Sequence, residues 1–197
     1  MTPRRALLAG RVAAVALAAL GTLVPVIMPI PARVMWNATP SVPTGLYTIG
    51  HATQLRVGER VALLPPSALR KLLAERGYLP ASALLVKRIA AVGGQRVCRF
   101  GHGVTIDGAY VGAALARDRL GRALPVWAGC RTLRSGELFL MSPAAPDSFD
   151  GRYFGVLRTA DVIGRAKPIW TDEAGNGRRT WFADPQTQNP STTSKGT

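Results

Sequence analysis

The chain has 197 residues, which is enough for one catalytic domain of ordinary size with an anchor and a tail, and too few for two full domains. Apolar residues make up 47%, so a sizeable core can be buried, while Lys plus Arg outnumber Asp plus Glu by 25 to 11. The resulting net charge of +14 favours anionic surfaces, for which nucleic acid and anionic lipid are the two usual readings.

Near the N-terminus a second feature favours lipid. Arg4, Arg5 and Arg11 precede a charge-free run over residues 12–32. A helix over that run reaches about 30 Å, one hydrocarbon core. With the basic residues on its N-terminal flank, the positive-inside rule puts residues 1–11 in the cytoplasm and everything after residue 32 outside. Gly21, Pro25, Pro29 and Pro31 weaken the last turns. A cleavable signal peptide is the alternative, against which Ile30 stands in the minus-three position before Ala32. Neither reading is cytosolic. The expected organisation is a cytoplasmic N-terminus (1–11), an anchor or uncleaved signal (12–32), an outward-facing domain (33–170) and a polar tail (171–197).

Residues 37–45 hold two prolines and a glycine after Asn37 and read as a loop. Residues 46–49 and 60–64 are short strands separated by a turn at Gly58. Residues 67–77 form the one good helix of the domain, capped by Ser67, with Leu69, Leu72 and Leu73 on one face and Gly77 at its end. Residues 84–92, rich in branched apolar side chains and stopped by Gly93-Gly94, predict a buried strand. Asp107-Gly108 predicts a hairpin over 104–111. Residues 137–141, 152–157 and 161–169 are further strand candidates. The domain is therefore mostly β with one inserted helix. Residues 185–197 are polar, lack periodicity and predict disorder.

Two cysteines in an exported domain, Cys98 and Cys130, suggest one disulfide, worth about 3–4 kcal/mol in the chain-entropy model. Two separate buried thiols are the alternative. With only His51 and His102 besides, the chain lacks metal-ligand spacing, and no cofactor is expected. Both histidines sit in glycine-flanked turns, where solvated surface residues are the rule, so a hydrolase built on this chain needs another base. Lys87 is the candidate. It lies in an apolar strand, and alternation sends it and Arg88 to opposite faces. Burial lowers a lysine pKa, and a base working near neutrality needs a drop of about 3 units. On the strand alone, two solvated heads on a half-exposed strand remain the plainer reading. Ser41, between Pro40 and Pro43, has a restricted backbone suited to a nucleophile, but alone it reads as a turn residue. In 147–155, Asp150 and Arg152 are spaced to form an ion pair, and the plain alternative is a polar turn.

Three ordered segments together resemble the signal peptidase I family: Ser41-Val42-Pro43-Thr44; Lys87-Arg88 leading to Gly93-Gly94; and Ser148-x-Asp150-x-Arg152-Tyr153-Phe154-Gly155. The longer string from Asn37 through Thr39, Ser41, Pro43 and Gly45 to Tyr47 is similar to the conjugal-transfer, TraF-type branch, as are the small size and the helix before the lysine strand. The resemblance spans about residues 10–170. It implies the mostly β fold of that family with one N-terminal membrane helix. It implies Ser41 as nucleophile, Lys87 as general base, Ser148 positioning the lysine, and Arg152 paired with Asp150. In the transfer branch an aspartate of this box is implicated in activity, which puts Asp150 among the catalytic candidates. The Ser41 N–H and the Thr39 hydroxyl are implied as oxyanion donors. Val42, where housekeeping enzymes usually carry methionine, and Gly151, where serine is usual, point away from a general enzyme.

The expected activity is that of a membrane-bound serine endopeptidase of the bacterial inner membrane with its catalytic domain in the periplasm. Its substrate is expected to be an exported precursor, a propilin of a conjugative system, with cyclisation as a further step. The expected partners are precursor, membrane lipid and other conjugation-apparatus proteins. Scattered arginines without a stacking platform argue against nucleic acid. The alternatives are a general type I signal peptidase and a non-enzymatic membrane-tethered component of a secretion complex.

Overall fold

The computed structural model describes residues 11–15 and 34–183. The chain divides into two units, 1–33 and 34–197. In the first, residues 11–15 are helical. The expected anchor over 12–32 otherwise lies outside the described residues, and among those described no helix is long and apolar enough to cross a membrane.

The second unit is mostly β. Its larger sheet contains β1 (Val34–Asn37), β2 (Thr44–Gly50), β3 (Arg60–Leu63), β4 (Leu85–Val92), β9 (Glu137–Leu140), β10 (Val156–Arg158), β11 (Val162–Asp172) and β12 (Thr180–Trp181). The order is β1-β2-β11-β3-β4-β9-β10, with β12 also on β11. A smaller sheet runs β7-β6-β5-β8, from β5 (Arg96–Phe100), β6 (Gly103–Ile106), β7 (Ala109–Ala113) and β8 (Gly129–Thr132). Every pairing within the two sheets is antiparallel, and tight turns join β5 to β6 and β6 to β7.

The inserted helix α1 (Ser67–Glu75) buries Leu69 and Leu73 against Val61, Leu85, Ile89 and Leu140. Ser67 is its first helical residue rather than its cap; Pro66 takes the cap position, where its lost N–H costs nothing. The Asp107-Gly108 hairpin forms as expected, with φ of 49° and 83°, the type I′ requirement.

Three expectations are corrected. Asn37 ends strand β1 instead of opening the loop, because 34–37 finds a partner in β2, with Asn37 opposite Gly45. Residues 152–157 are not one strand: α2 (Gly151–Phe154) is a helical turn and only 156–158 is extended. The reason is local, since the Asp150 side chain accepts from the Arg152 N–H and caps the turn. Residues 171–183, assigned to the tail, include the end of β11 and all of β12, where Trp170 lies opposite Trp181. Aromatic cross-strand packing supplies an apolar reason to pair that the polar composition hid. The segment 184–197 lies outside the described residues.

Candidate active site

The Ser41 loop, residues 38–43, leaves β1 and enters β2 with its shape set from below. Asn37 is buried at 5% exposure, and its Nδ2 donates to the carbonyls of Thr39 (2.8 Å), Val42 (3.1 Å) and Pro43 (3.1 Å). Its Oδ1 accepts from the Thr39 N–H (3.2 Å) and Oγ1 (2.9 Å). Tyr47, fully buried, donates its hydroxyl to Pro43 O at 2.6 Å. Val42 is buried with Tyr47, Val86 and Ala166. One amide, one phenol and one valine thus hold the loop on the sheet, and no backbone hydrogen bond engages the Ser41 N–H among the described residues. The sequence grouped Asn37 and Tyr47 into a resembling string without giving them a task; an amide two residues before a Pro-flanked loop is the signal that could have done so. Asn37→Ala strips three carbonyls of their donor. It is expected to lower the unfolding free energy by about 2 kcal/mol and processing by about tenfold, measured by denaturant titration and precursor cleavage.

Lys87 is central in β4, opposite Val61 of β3, and is 4% exposed. Arg88 points to the other face, where Nη1 donates to Gly58 O at 3.1 Å. Lys87 Nζ donates to Ser148 Oγ at 2.8 Å. Burial pushes the Lys87 pKa down to about 8; the carboxylate of Asp150 pulls the other way, and the Arg152 guanidinium adds to the lowering. A lysine so placed can give and take a proton near neutrality.

Ser148 is held by the buried pair behind it. Asp150 is fully buried and accepts from Arg152 Nε (2.9 Å), Arg152 Nη2 (2.9 Å), the Arg152 N–H (3.1 Å) and the Ser142 N–H (3.1 Å). Arg152 then donates to the carbonyls of Ala145 (2.7 Å), Pro146 (2.9 Å), Ser148 (3.2 Å) and Ala113 (3.2 Å). This pair is the frame of the 142–148 loop. Asp150 has no hydrogen bond to Ser41 or Lys87; it reaches the lysine only through space.

A cleft of about 450 Å³ brings Thr39, Ser41, Lys87 and Ser148 to one surface. Its apolar walls include Leu73, Tyr78, Leu79, Phe149 and Tyr153. No hydrogen bond joins Ser41 Oγ to Lys87 Nζ, and the Thr39 hydroxyl donates to Asn37 rather than into the cleft. His51 and His102 line none of it; His102 Nδ1 lies 2.8 Å from Ala114 O. Cys98 and Cys130 face each other across β5 and β8 as a disulfide.

The signal peptidase family, peptidase S26, matches residues 5–171 of the chain. The chain belongs to that family. This S26 peptidase is therefore a serine endopeptidase that processes exported precursor proteins. Among solved structures it is similar to a signal peptidase I from Enterococcus faecalis, at 18% identity and a TM-score of 0.34, over 57% of this chain and 97% of that one. No curated protein matches it.

Proposed function

We propose that this S26 peptidase cleaves with a Ser41/Lys87 dyad and that its substrate is a propilin of a conjugative transfer system. The observation that carries the dyad is Lys87 itself, a buried lysine with a lowered pKa, tied to Ser148 in the same cleft as Ser41. Lys87 Nζ hydrogen-bonds Ser148 and not Ser41, and the contact between a nucleophile and its base often tightens only in the complex with substrate. With a peptide in the cleft, neutral Lys87 takes the Ser41 proton as Oγ attacks the scissile carbonyl. The Ser41 N–H, free of backbone partners among the described residues, donates to the oxyanion. Thr39 adds a second donor when its hydroxyl turns from Asn37. Lys87 then protonates the leaving amine, and water or the substrate's own amino terminus releases the acyl group. Asp150 and Arg152 act on Ser148 and thereby on Lys87.

The conjugal reading is supported by the string Asn37 to Tyr47, in which Asn37, Val42, Pro43 and Tyr47 hold the Ser41 loop in place. An outward-facing domain on the bacterial inner membrane is supported by the apolar run 12–32 and by the face next to it in sequence. There Trp36, Leu46, Trp170 and Trp181 form one row across β1, β2, β11 and β12. Trp36 and Trp181 are 50% and 65% exposed, and the Arg179 guanidinium lies over Trp36 and Trp170. Exposed tryptophan with arginine suits a lipid interface.

The test is cleavage of candidate propilin across pH with mass spectrometry of the product. The rate should rise with pH through about 8 as Lys87 loses its proton. A flat profile from pH 6 to 9 would sink the dyad. A mature pilin one water heavier than the cyclic form would sink cyclisation while leaving cleavage intact.

A further inference from the structure

Among the described residues one buried cation has neither a carboxylate partner nor a place in the mechanism. Arg99, on β5, is 1% exposed, and no ion pair among the described residues includes it. Burying a guanidinium without a carboxylate is costly unless its donors are well used. Here they are spent on carbonyl oxygens: Nε on Gly101 (3.2 Å), Nη1 on Pro125 (3.4 Å) and on Arg152. The last is the informative one, because Arg152 O belongs to α2, the turn that carries the Asp150–Arg152 frame.

A second donor, from the segment that leads into β8 of the same sheet, reaches the same turn. Trp127 Nε1, just before β8, donates to Gly151 O at 3.0 Å. Trp127 and Arg99 therefore hold successive carbonyls of α2. Their two segments are fastened to each other, since Cys98 next to Arg99 is bonded to Cys130 of β8. From α2 the hydrogen bonds continue through Arg152 to Ser148 O, and from Ser148 Oγ to Lys87 Nζ.

We infer that Arg99 is a positioning residue for the reaction: from the disulfide-tied sheet it fixes the α2 turn, and through Arg152 and Ser148 it fixes where Lys87 Nζ sits. This rests on the Ser41/Lys87 reading. Arg99 does not line the cleft, so it touches no substrate. Its loss acts by letting α2 and Ser148 drift, which admits water to Lys87 and returns its pKa toward that of a solvated lysine.

The test uses the full chain in detergent with a cleavable precursor peptide, comparing wild type, Arg99→Met, Arg99→Lys and Lys87→Met. Arg99→Met is expected to lower kcat about tenfold or more with KM within about twofold, and to move the acid limb of the kcat–pH profile up by about half a unit or more. Arg99→Lys, which keeps a charge and one donor, should fall between. A limb at the wild-type position in Arg99→Met overturns the proposal, whatever happens to kcat, because a residue that serves only stability leaves that limb alone. If Arg99→Met shows no cooperative melting, Arg99→Lys decides on the same axes: a displaced limb with reduced kcat supports the proposal, and a wild-type limb overturns it. Lys87→Met separates the two readings. Wild-type processing by that variant removes the dyad itself; an inactive Lys87→Met beside unaltered Arg99 variants removes only the role of Arg99.

Discussion

Replacing Lys87 by Met is expected to abolish precursor cleavage, by roughly 10³-fold or more, while making the protein more stable. The two effects have one cause. The folded-state pKa of about 8 lies below the ordinary 10.5, so the unfolded chain binds the proton more tightly. Between pH 8 and 10.5 the unfolded state holds a proton that the folded state has released, and stability therefore rises with pH across that window. Below pH 8 the penalty is at its full size, about 3 kcal/mol for a group 4% exposed. Methionine escapes it but forfeits the hydrogen bond to Ser148, about 1 kcal/mol. The net gain at pH 7 is about 2 kcal/mol, or about 4–8 °C in Tm. Calorimetry of wild type and variant at pH 7 and pH 10 checks it, since the difference should shrink at the higher pH. Ser41→Ala should be equally inactive with no such gain, because the half-exposed Ser41 has no comparable burial penalty to relieve. A Lys87→Met protein less stable than wild type at pH 7 would mean that the lysine is not desolvated.

The second large effect belongs to the Asp150–Arg152 frame behind Ser148 and Lys87. Asp150→Ala leaves Arg152, 1% exposed, without its carboxylate. Breaking a buried pair by removing one partner costs about 3–5 kcal/mol. The Ser142 N–H loses its acceptor as well. Denaturant titration should show that loss, and replacing both residues by apolar ones should cost less than the sum of the single changes. Asp150→Asn keeps the shape and discards the charge. Because Asp150 holds the Lys87 pKa up, that variant should shift the acid limb of cleavage to lower pH. Arg99→Met moves it in the opposite direction, so the electrostatic and positioning contributions to Lys87 are separable by sign.

What the sequence determined by itself follows from short-range rules. Alternation put Lys87 and Arg88 on opposite faces, helical spacing put Leu69 and Leu73 on one side, and Asp107-Gly108 specified its turn; each needs only the local chain. The order of three polar segments also suggested the family to which the chain belongs. The tertiary structure decided what depends on partners distant in the chain. Whether Lys87 is solvated or desolvated is set by β3 and by Ser148, separated from it by 61 positions, and no local pattern reports that. Asp150 and Arg152 were legible as a pair, yet only the fold shows both spent on the 142–148 loop rather than on Ser41. Asn37 looked like the start of a loop until β2 made it the end of a strand with its amide beneath Ser41. Arg99 had no distinguishing mark in the sequence, because a buried cation held by carbonyl oxygens is recognisable only once burial and those oxygens are known. Periodicity records which face a side chain takes, and it does not record what the face meets.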